Sequence, residues 1–86
     1  MEHQIHELKT WPEYFNEVDK GKNFELRKDD RGFKVGDFII LNEWDPKTET
    51  YTGNRLPFVI DYILRNKPEI GLLEGYCIMP VTRIMR

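Results

Sequence analysis

The sequence predicts an α+β fold that is mostly β, with one early helix and five to six strands in a mixed or antiparallel sheet. Three observations support this prediction. A helix-start pattern lies near the amino terminus, short alternating segments fill the rest of the chain, and residues 38–41 are all apolar. A strand that is apolar on both faces is typically buried on both faces, so we expect the sheet to curl into a small β-barrel with the helix over one opening. An open α+β sheet is the alternative.

The helix is predicted to begin at Thr10 and to end at Gly21. Thr10 and Glu13 have the spacing of a capping box, in which each side chain bonds the backbone N–H of the other residue. Pro12 falls in the first turn, where its missing N–H removes no helical hydrogen bond. Gly21 can adopt the left-handed conformation that ends a helix. One apolar stripe at helical spacing completes the pattern: Trp11, Tyr14, Phe15 and Val18.

The strand after the helix, at residues 23–28, carries the most distinctive pattern of the chain. Its apolar side chains, Phe24 and Leu26, occupy alternate positions. Glu25 and Arg27 occupy the positions between and after them. Successive side chains of a strand point to opposite faces. We therefore expect the apolar pair to face the core, and the carboxylate and guanidinium to face a solvent-lined hollow beside the helix.

Gly, Pro and polar clusters delimit the remaining elements. Pro57 predicts an edge position for its strand, and Pro80 is expected to break the strand that it ends. The predicted elements are a first strand at residues 5–9, an apolar strand at 38–44, a hairpin tip at 45–50 returning at 51–54, a long strand at 56–64, a loop at 68–74, and strands at 76–79 and 81–85.

Composition narrows the class of protein. The chain has 86 residues and a formal net charge of −2, so we expect one domain, residues 1–86, without bulk attraction to nucleic acid. Its single cysteine, Cys77, cannot form an internal disulfide, which is typical of a reducing compartment. No apolar run reaches the roughly 18–20 residues of a membrane span, and no signal-peptide pattern opens the chain. We therefore expect a cytoplasmic protein with no membrane partner.

Lys22, Glu25 and Arg27 form the candidate binding group. The two cations suit phosphate oxygens or base edges, and the carboxylate can accept from a base amino group or hold Arg27 in place. The alternative interpretation is a solvated array of surface ion pairs. Arg31, on the loop after this strand, is predicted to lie on the rim of the site and to steer phosphate groups.

Other catalytic and metal chemistry has little support. His3 and His6 are three residues apart in a predicted strand or chain terminus, where they point to opposite faces. Zinc takes three or four ligands, so we predict no metal site. Cys77 has apolar neighbours and is expected to be a buried core thiol. No glycine-rich phosphate loop and no Ser-His-Asp pattern is present, and we predict no cofactor.

The chain resembles the ASCH domains of the PUA-like superfamily, and within them a small bacterial and phage subgroup of unknown function. The resemblance covers residues 5–79. Its motifs are His6-Glu-Leu-Lys9, Trp11-Pro-Glu-Tyr-Phe15, Gly21-Lys22, Phe24-Glu25-Leu-Arg27-Lys-Asp-Asp-Arg31, Val35-Gly-Asp37, Glu43-Trp-Asp-Pro46, Tyr51-Thr-Gly53 and Glu74-Gly-Tyr76. The family pattern places one residue between the glycine and the lysine, whereas Gly21 and Lys22 are adjacent here.

The resemblance implies a PUA-like barrel with a cleft beside the early helix that binds RNA or nucleotides. Carried over by motif, the site residues are Lys22, Glu25 and Arg27, with Lys9 and Trp11 as cleft neighbours. Two other functions remain open. One is a small hydrolase of modified nucleosides or RNA, in which Lys22 activates the nucleophile and Glu25 carries the proton. The other is a phage adaptor that binds a protein partner through a sheet edge at residues 57–61.

Overall fold

Six strands and one α-helix make up the fold, which we describe from a computed structural model over residues 2–84. This mostly β composition with one early helix confirms the predicted class. In chain order the elements are β1 (Ile5–Thr10), α1 (Pro12–Asp19), β2 (Phe24–Lys28), β3 (Phe38–Asp45), β4 (Thr50–Ile60), β5 (Leu64–Lys67), a 3₁₀ turn (Pro68–Ile70) and β6 (Leu72–Arg83). No helix within residues 2–84 is long and apolar enough to cross a membrane.

The strands form one mixed sheet in the order β1-β3-β4-β6-β2, and β5 pairs with β6 on the side opposite to β2. Strand β1 runs parallel to β3, and the other pairs are antiparallel. Strands β1 and β2 lie at the two ends of this path and do not pair with each other. The sheet that residues 2–84 form is therefore not closed, and the predicted barrel is not confirmed.

One face of the sheet carries the core, against which α1 packs. On β3, Ile39 and Leu41 are fully buried, whereas Phe38 on the other face is 37% exposed. Ile40, also on the outer face, is only partly buried, so the expected burial of β3 on both faces is wrong. The core side chains are Leu8, Phe15, Val18, Phe33, Ile39, Leu41, Leu56, Phe58, Ile60, Cys77, Met79 and Val81.

Strand β2 has the opposite orientation to the one predicted. Glu25 is only 4% exposed, while Phe24 is 44% and Leu26 is 56% exposed. Directly opposed residues of an antiparallel pair share a face. Since Glu25 lies opposite the buried Met79 of β6, the register turns its side chain inward. The predicted inward position of the two apolar side chains is wrong for this reason.

The N-cap of helix α1 lies one residue later than the capping-box pattern predicts. Its N-cap residue is Trp11, and no side chain caps the helix. Thr10 ends β1 instead, and its hydroxyl accepts a hydrogen bond from Arg27 at 3.0 Å. Of the predicted apolar stripe, Phe15 and Val18 are buried, while the two larger aromatic side chains are exposed. Gly21 has a φ of 118°, so the predicted left-handed helix end is confirmed.

Pro57 does not lie on an edge strand. Strand β4 pairs with β3 on one side and with β6 on the other, so the adaptor surface expected at residues 57–61 has no free edge. Pro57 accepts a backbone hydrogen bond from Ile84 at 3.0 Å, but it has no N–H to return. The proline therefore marks the end of the β4–β6 ladder, inside the sheet. The predicted strand at 56–64 is divided between β4 and β5.

Pro80 does not break its strand either. Strand β6 continues from Leu72 to Arg83, pairing with β5 and β2 before the proline and with β4 after it. Pro80 thus lies where β6 changes partners, and there is one strand in place of the two predicted. Residue 85, the predicted end of the second strand, lies outside the described residues.

Candidate functional site

A cleft of about 640 Å³ opens between α1 and β2. Its volume is within the range of small-ligand sites. Five of the six predicted site residues line it together: Lys9, Trp11, Lys22, Glu25 and Arg27. The sixth, Arg31, is exposed and outside this lining. The hollow predicted beside the helix is therefore present, although the strand that forms its floor has the opposite orientation.

Arg27 crosses the gap between β2 and β1. Its Nε donates to Oε1 of Glu25 at 3.1 Å, and its Nη2 donates to the hydroxyl of Thr10 at 3.0 Å. Its Nη1 donates to the backbone carbonyl of Lys9 at 3.3 Å. These three contacts tie β2 to β1 and use three of the five N–H donors of the guanidinium. Arg27 therefore fixes the floor of the cleft and keeps two N–H donors for a ligand.

The carbonyl that Arg27 reaches belongs to the free edge of β1. The N–H of Phe38 donates to the carbonyl of Gln4, so the carbonyl group of Gln4 faces β3. Alternate residues of a strand direct their carbonyls to opposite sides. The carbonyls of Glu7 and Lys9 consequently face the gap, and Arg31 donates to the first of them at 3.3 Å. Two arginine side chains thus bond edge acceptors that face no other strand of the described residues, 2–84.

Lys22 and Lys9 are the less constrained cations of the cleft. The ammonium of Lys22 lies 3.9 Å from Oε2 of Glu25 and 5.2 Å from the ring centre of Phe24. The ammonium of Lys9 lies 4.1 Å from the ring centre of Trp44, a cation–π geometry. Neither ammonium makes a short hydrogen bond with another side chain of residues 2–84. Lys22 therefore keeps donors for an anionic ligand in the cleft, whereas the ammonium of Lys9 lies over Trp44, which is outside the cleft lining.

Two aromatic side chains stand at the mouth of the cleft. Trp11 is 46% exposed and Tyr14 is 50% exposed, and both contribute to the lining. Sequence reasoning placed Tyr14 in the core stripe of the helix and so missed it as a cleft residue. Their exposure leaves aromatic surface for a planar ligand. Trp44, by contrast, is partly buried beneath Lys9.

His6, one of the two histidines considered as metal ligands, has a structural role outside the cleft. Nε2 of His6 lies 2.8 Å from Oδ2 of the buried Asp37, which also accepts backbone hydrogen bonds from Gln4 and Lys34. Burial opposes the ionisation of Asp37, but these hydrogen bonds outweigh it and lower the pKa of the carboxyl. Residues 2–84 contain no cluster of three or more His, Cys, Asp or Glu suited to a metal ion.

Cys77 is fully buried, as predicted. Burial raises the pKa of its thiol, and the nearby Asp29 adds to the effect. A thiol that stays protonated and shielded is a poor nucleophile. This residue therefore belongs to the core and takes no part in the cleft.

The fold and the cleft define a mostly β domain with a charged cavity between its helix and an end strand. Residues 5–81 match the family described as Domain of unknown function (DUF3850), and the chain belongs to this family. The chain is also 48% identical over 42 residues to the uncharacterized 12.9 kDa protein in the GpA 3′ region of Escherichia phage P2. That match covers 48% of this chain and 38% of the phage protein. The resemblance to ASCH domains stays a prediction.

Proposed function

We propose that the protein is a non-catalytic domain that binds single-stranded RNA or nucleotides in the cleft between α1 and β2. One observation carries the proposal: Trp11 and Tyr14, both about half exposed, line the same cavity as Lys9 and Lys22. Exposed aromatic faces stack on unpaired bases, and flanking cations bind the phosphates. A double helix keeps its bases stacked inside, so this arrangement favours a single strand or a free nucleotide.

The contacts divide the charged residues into two roles. Lys22 and Lys9 are assigned to phosphate oxygens because their ammonium groups are held only by long contacts, at 3.9 and 4.1 Å. Arg27 shapes the floor, since three of its five N–H donors bond Glu25, Thr10 and the carbonyl of Lys9, and the other two are left for a ligand. Arg31 is exposed outside the lining, where it contributes to long-range steering of phosphates.

The relationship to PUA-like domains is part of the same proposal. Arg27 and Arg31 cross from the end of β2 and the following loop to the edge of β1, where a closed barrel has strand pairing. The bridged gap supports an interpretation of the sheet as an incompletely closed barrel. A cytoplasmic location agrees with the unpaired Cys77 and with an RNA or nucleotide ligand.

Fluorescence anisotropy with short labelled RNA tests the proposal. Trp11→Ala is expected to weaken binding by about 5- to 150-fold, the usual effect of losing one stacked base. Lys22→Ala is expected to weaken binding and to reduce the dependence of the Kd on salt concentration. Tyr62→Ala and Lys47→Ala change exposed residues outside the cleft and are the matched controls. Undetectable binding, or equal loss in the cleft and control variants, would overturn the proposal.

A small hydrolase is the second candidate function. The observation that favours it is the approach of the Lys22 ammonium to Oε2 of Glu25, at 3.9 Å, inside a cleft. A lysine beside a carboxylate can exchange a proton with a bound substrate. Incubation with acylated cytidines and with single-stranded RNA, each with and without magnesium, tests this activity. If no substrate is turned over, the hydrolase is excluded for these substrate classes.

A further inference from the structure

Glu25 is a buried carboxylate with one acceptor oxygen open to the cleft. Its Oε1 accepts from Arg27 at 3.1 Å, whereas Oε2 lies 3.9 Å from the ammonium of Lys22, beyond hydrogen-bonding distance. Within residues 2–84, every side-chain N or O that is fully shielded from solvent has a hydrogen-bond partner. Oε2 forms no such bond, so it keeps some contact with solvent, and Glu25 lines the cleft.

A carboxylate can only accept hydrogen bonds, and the bases differ in what they offer it. Guanine presents two adjacent donors on its Watson–Crick edge, the N1–H and the N2 amino group. Adenine and cytosine each place one amino group next to an unprotonated ring nitrogen, which repels a carboxylate. Uracil has a single N–H between two carbonyl oxygens. A carboxylate at the floor of the cleft therefore favours guanine most and uracil least.

The rest of the cleft fixes which end of a nucleotide reaches Glu25. The carboxylate repels a phosphate, and the ammonium of Lys22, which makes no short hydrogen bond, attracts one. The exposed faces of Trp11 and Tyr14 line the same cleft and can stack on the base. We propose that the cleft selects guanine nucleotides and that Glu25 reads the base, an inference that rests on the proposed function.

Glu25→Gln is the variant that separates base reading from a structural role. The carbonyl oxygen of the new amide can still accept from Arg27, so the bridge to β1 is retained. The open oxygen becomes an NH₂ group, which donates to the ring nitrogens of adenine or cytosine and no longer accepts from guanine. A merely structural Glu25 would lose affinity for every nucleotide alike. A base-reading Glu25 loses affinity for guanine alone.

The experiment measures the Kd of the full chain for GMP, IMP, AMP, CMP and UMP at one salt concentration. We expect GMP to bind at least about tenfold more tightly than UMP, the scale of gaining one hydrogen bond to a charged group. IMP, which lacks the N2 amino group, is expected to fall between them. In Glu25→Gln the preference for GMP is expected to shrink to about twofold or less. Glu17→Gln, a charge change at an exposed position of the same cleft, is expected to keep it.

The possible failures are distinguishable. Equal Kd values for the five nucleotides, or a preference for another base, would overturn the selection of guanine and leave the proposed function standing. A GMP preference that survives in a folded Glu25→Gln protein would overturn the role of Glu25. If that variant fails to fold, the wild-type series alone decides the selectivity. If neither nucleotides nor short RNA bind, both proposals are wrong.

Discussion

Replacing Arg27 by methionine tests whether one side chain holds the gap between β1 and β2 together. Methionine keeps most of the apolar length of arginine and removes its donors. The variant loses the hydrogen bonds to Glu25, to the Thr10 hydroxyl and to the Lys9 carbonyl. It also leaves Glu25 buried, with Lys22 at 3.9 Å as its remaining cationic neighbour.

The expected loss of unfolding free energy in Arg27→Met follows from the burial of Arg27 and Glu25. Removing one member of a buried ion pair costs about 3–5 kcal/mol, because the other charge stays desolvated. Arg27 is 25% exposed against 5% for the side chain of Glu25, so water and Lys22 compensate in part. We expect the free energy of unfolding to fall by about 2–3 kcal/mol. This is a large share of the roughly 5–15 kcal/mol that stabilises a small domain.

Urea unfolding followed by circular dichroism measures this change, with m-values compared between variants. Arg55→Met is the matched control, because Arg55 pairs with Glu7 where both side chains are more than half exposed. Its expected cost is below about 0.5 kcal/mol. A double variant in which Glu25 is also replaced by methionine should cost less than the sum of the single changes. If Arg27→Met costs no more than Arg55→Met, the bridge does not stabilise the sheet.

Three further predictions concern the buried carboxylate of Asp37, the buried thiol of Cys77 and the orientation of β2. Hydrogen bonds lower the pKa of Asp37 below its ordinary 3.8, so its carboxylate stabilises the fold at neutral pH, and this contribution is lost as the pH falls through the folded-state pKa. Asp37→Asn should therefore lower stability at pH 7. It should also reduce the fall of the urea midpoint at acidic pH in a series measured over pH 2–7. Cys77, fully buried with a raised thiol pKa, should react with a thiol reagent much more slowly in native protein than in urea, and equal rates would contradict its burial. Leu26→Ser should cost below about 1 kcal/mol and Met79→Ala about 2–5 kcal/mol by urea unfolding; the reverse order would contradict the observed face of β2.

Local chemistry determines the elements of this fold that could be predicted. A proline in the first turn and a glycine at the left-handed end delimit a helix whatever surrounds it, and α1 lies between Pro12 and Gly21 as expected. A polar cluster between two apolar runs specifies the β3–β4 hairpin for the same reason. Both signals act over a few residues, so no knowledge of the tertiary structure is needed to interpret them.

Some residues of the candidate site could also be predicted from the sequence, and others could not. Motif resemblance grouped Lys9, Trp11, Lys22, Glu25 and Arg27, and the structure brings these five side chains to one cleft. The same analysis missed Tyr14, because a helical stripe does not show how much of it the sheet covers. It also missed the buried pair of His6 and Asp37, since the two residues are 31 positions apart and nothing local links them.

By itself, the sequence determined that one short, early helix would accompany a mostly β fold, and which polar residues could gather beside that helix. Only the tertiary structure decided which face of β2 points inward. An alternating strand has two apolar and two polar side chains to offer, and its own pattern favours burying the apolar pair. The register with β6 places Glu25 opposite the buried Met79 and overrides that preference. Arg27 reduces the cost of burying Glu25, because its guanidinium donates hydrogen bonds both to this carboxylate and to the Lys9 carbonyl at the edge of β1.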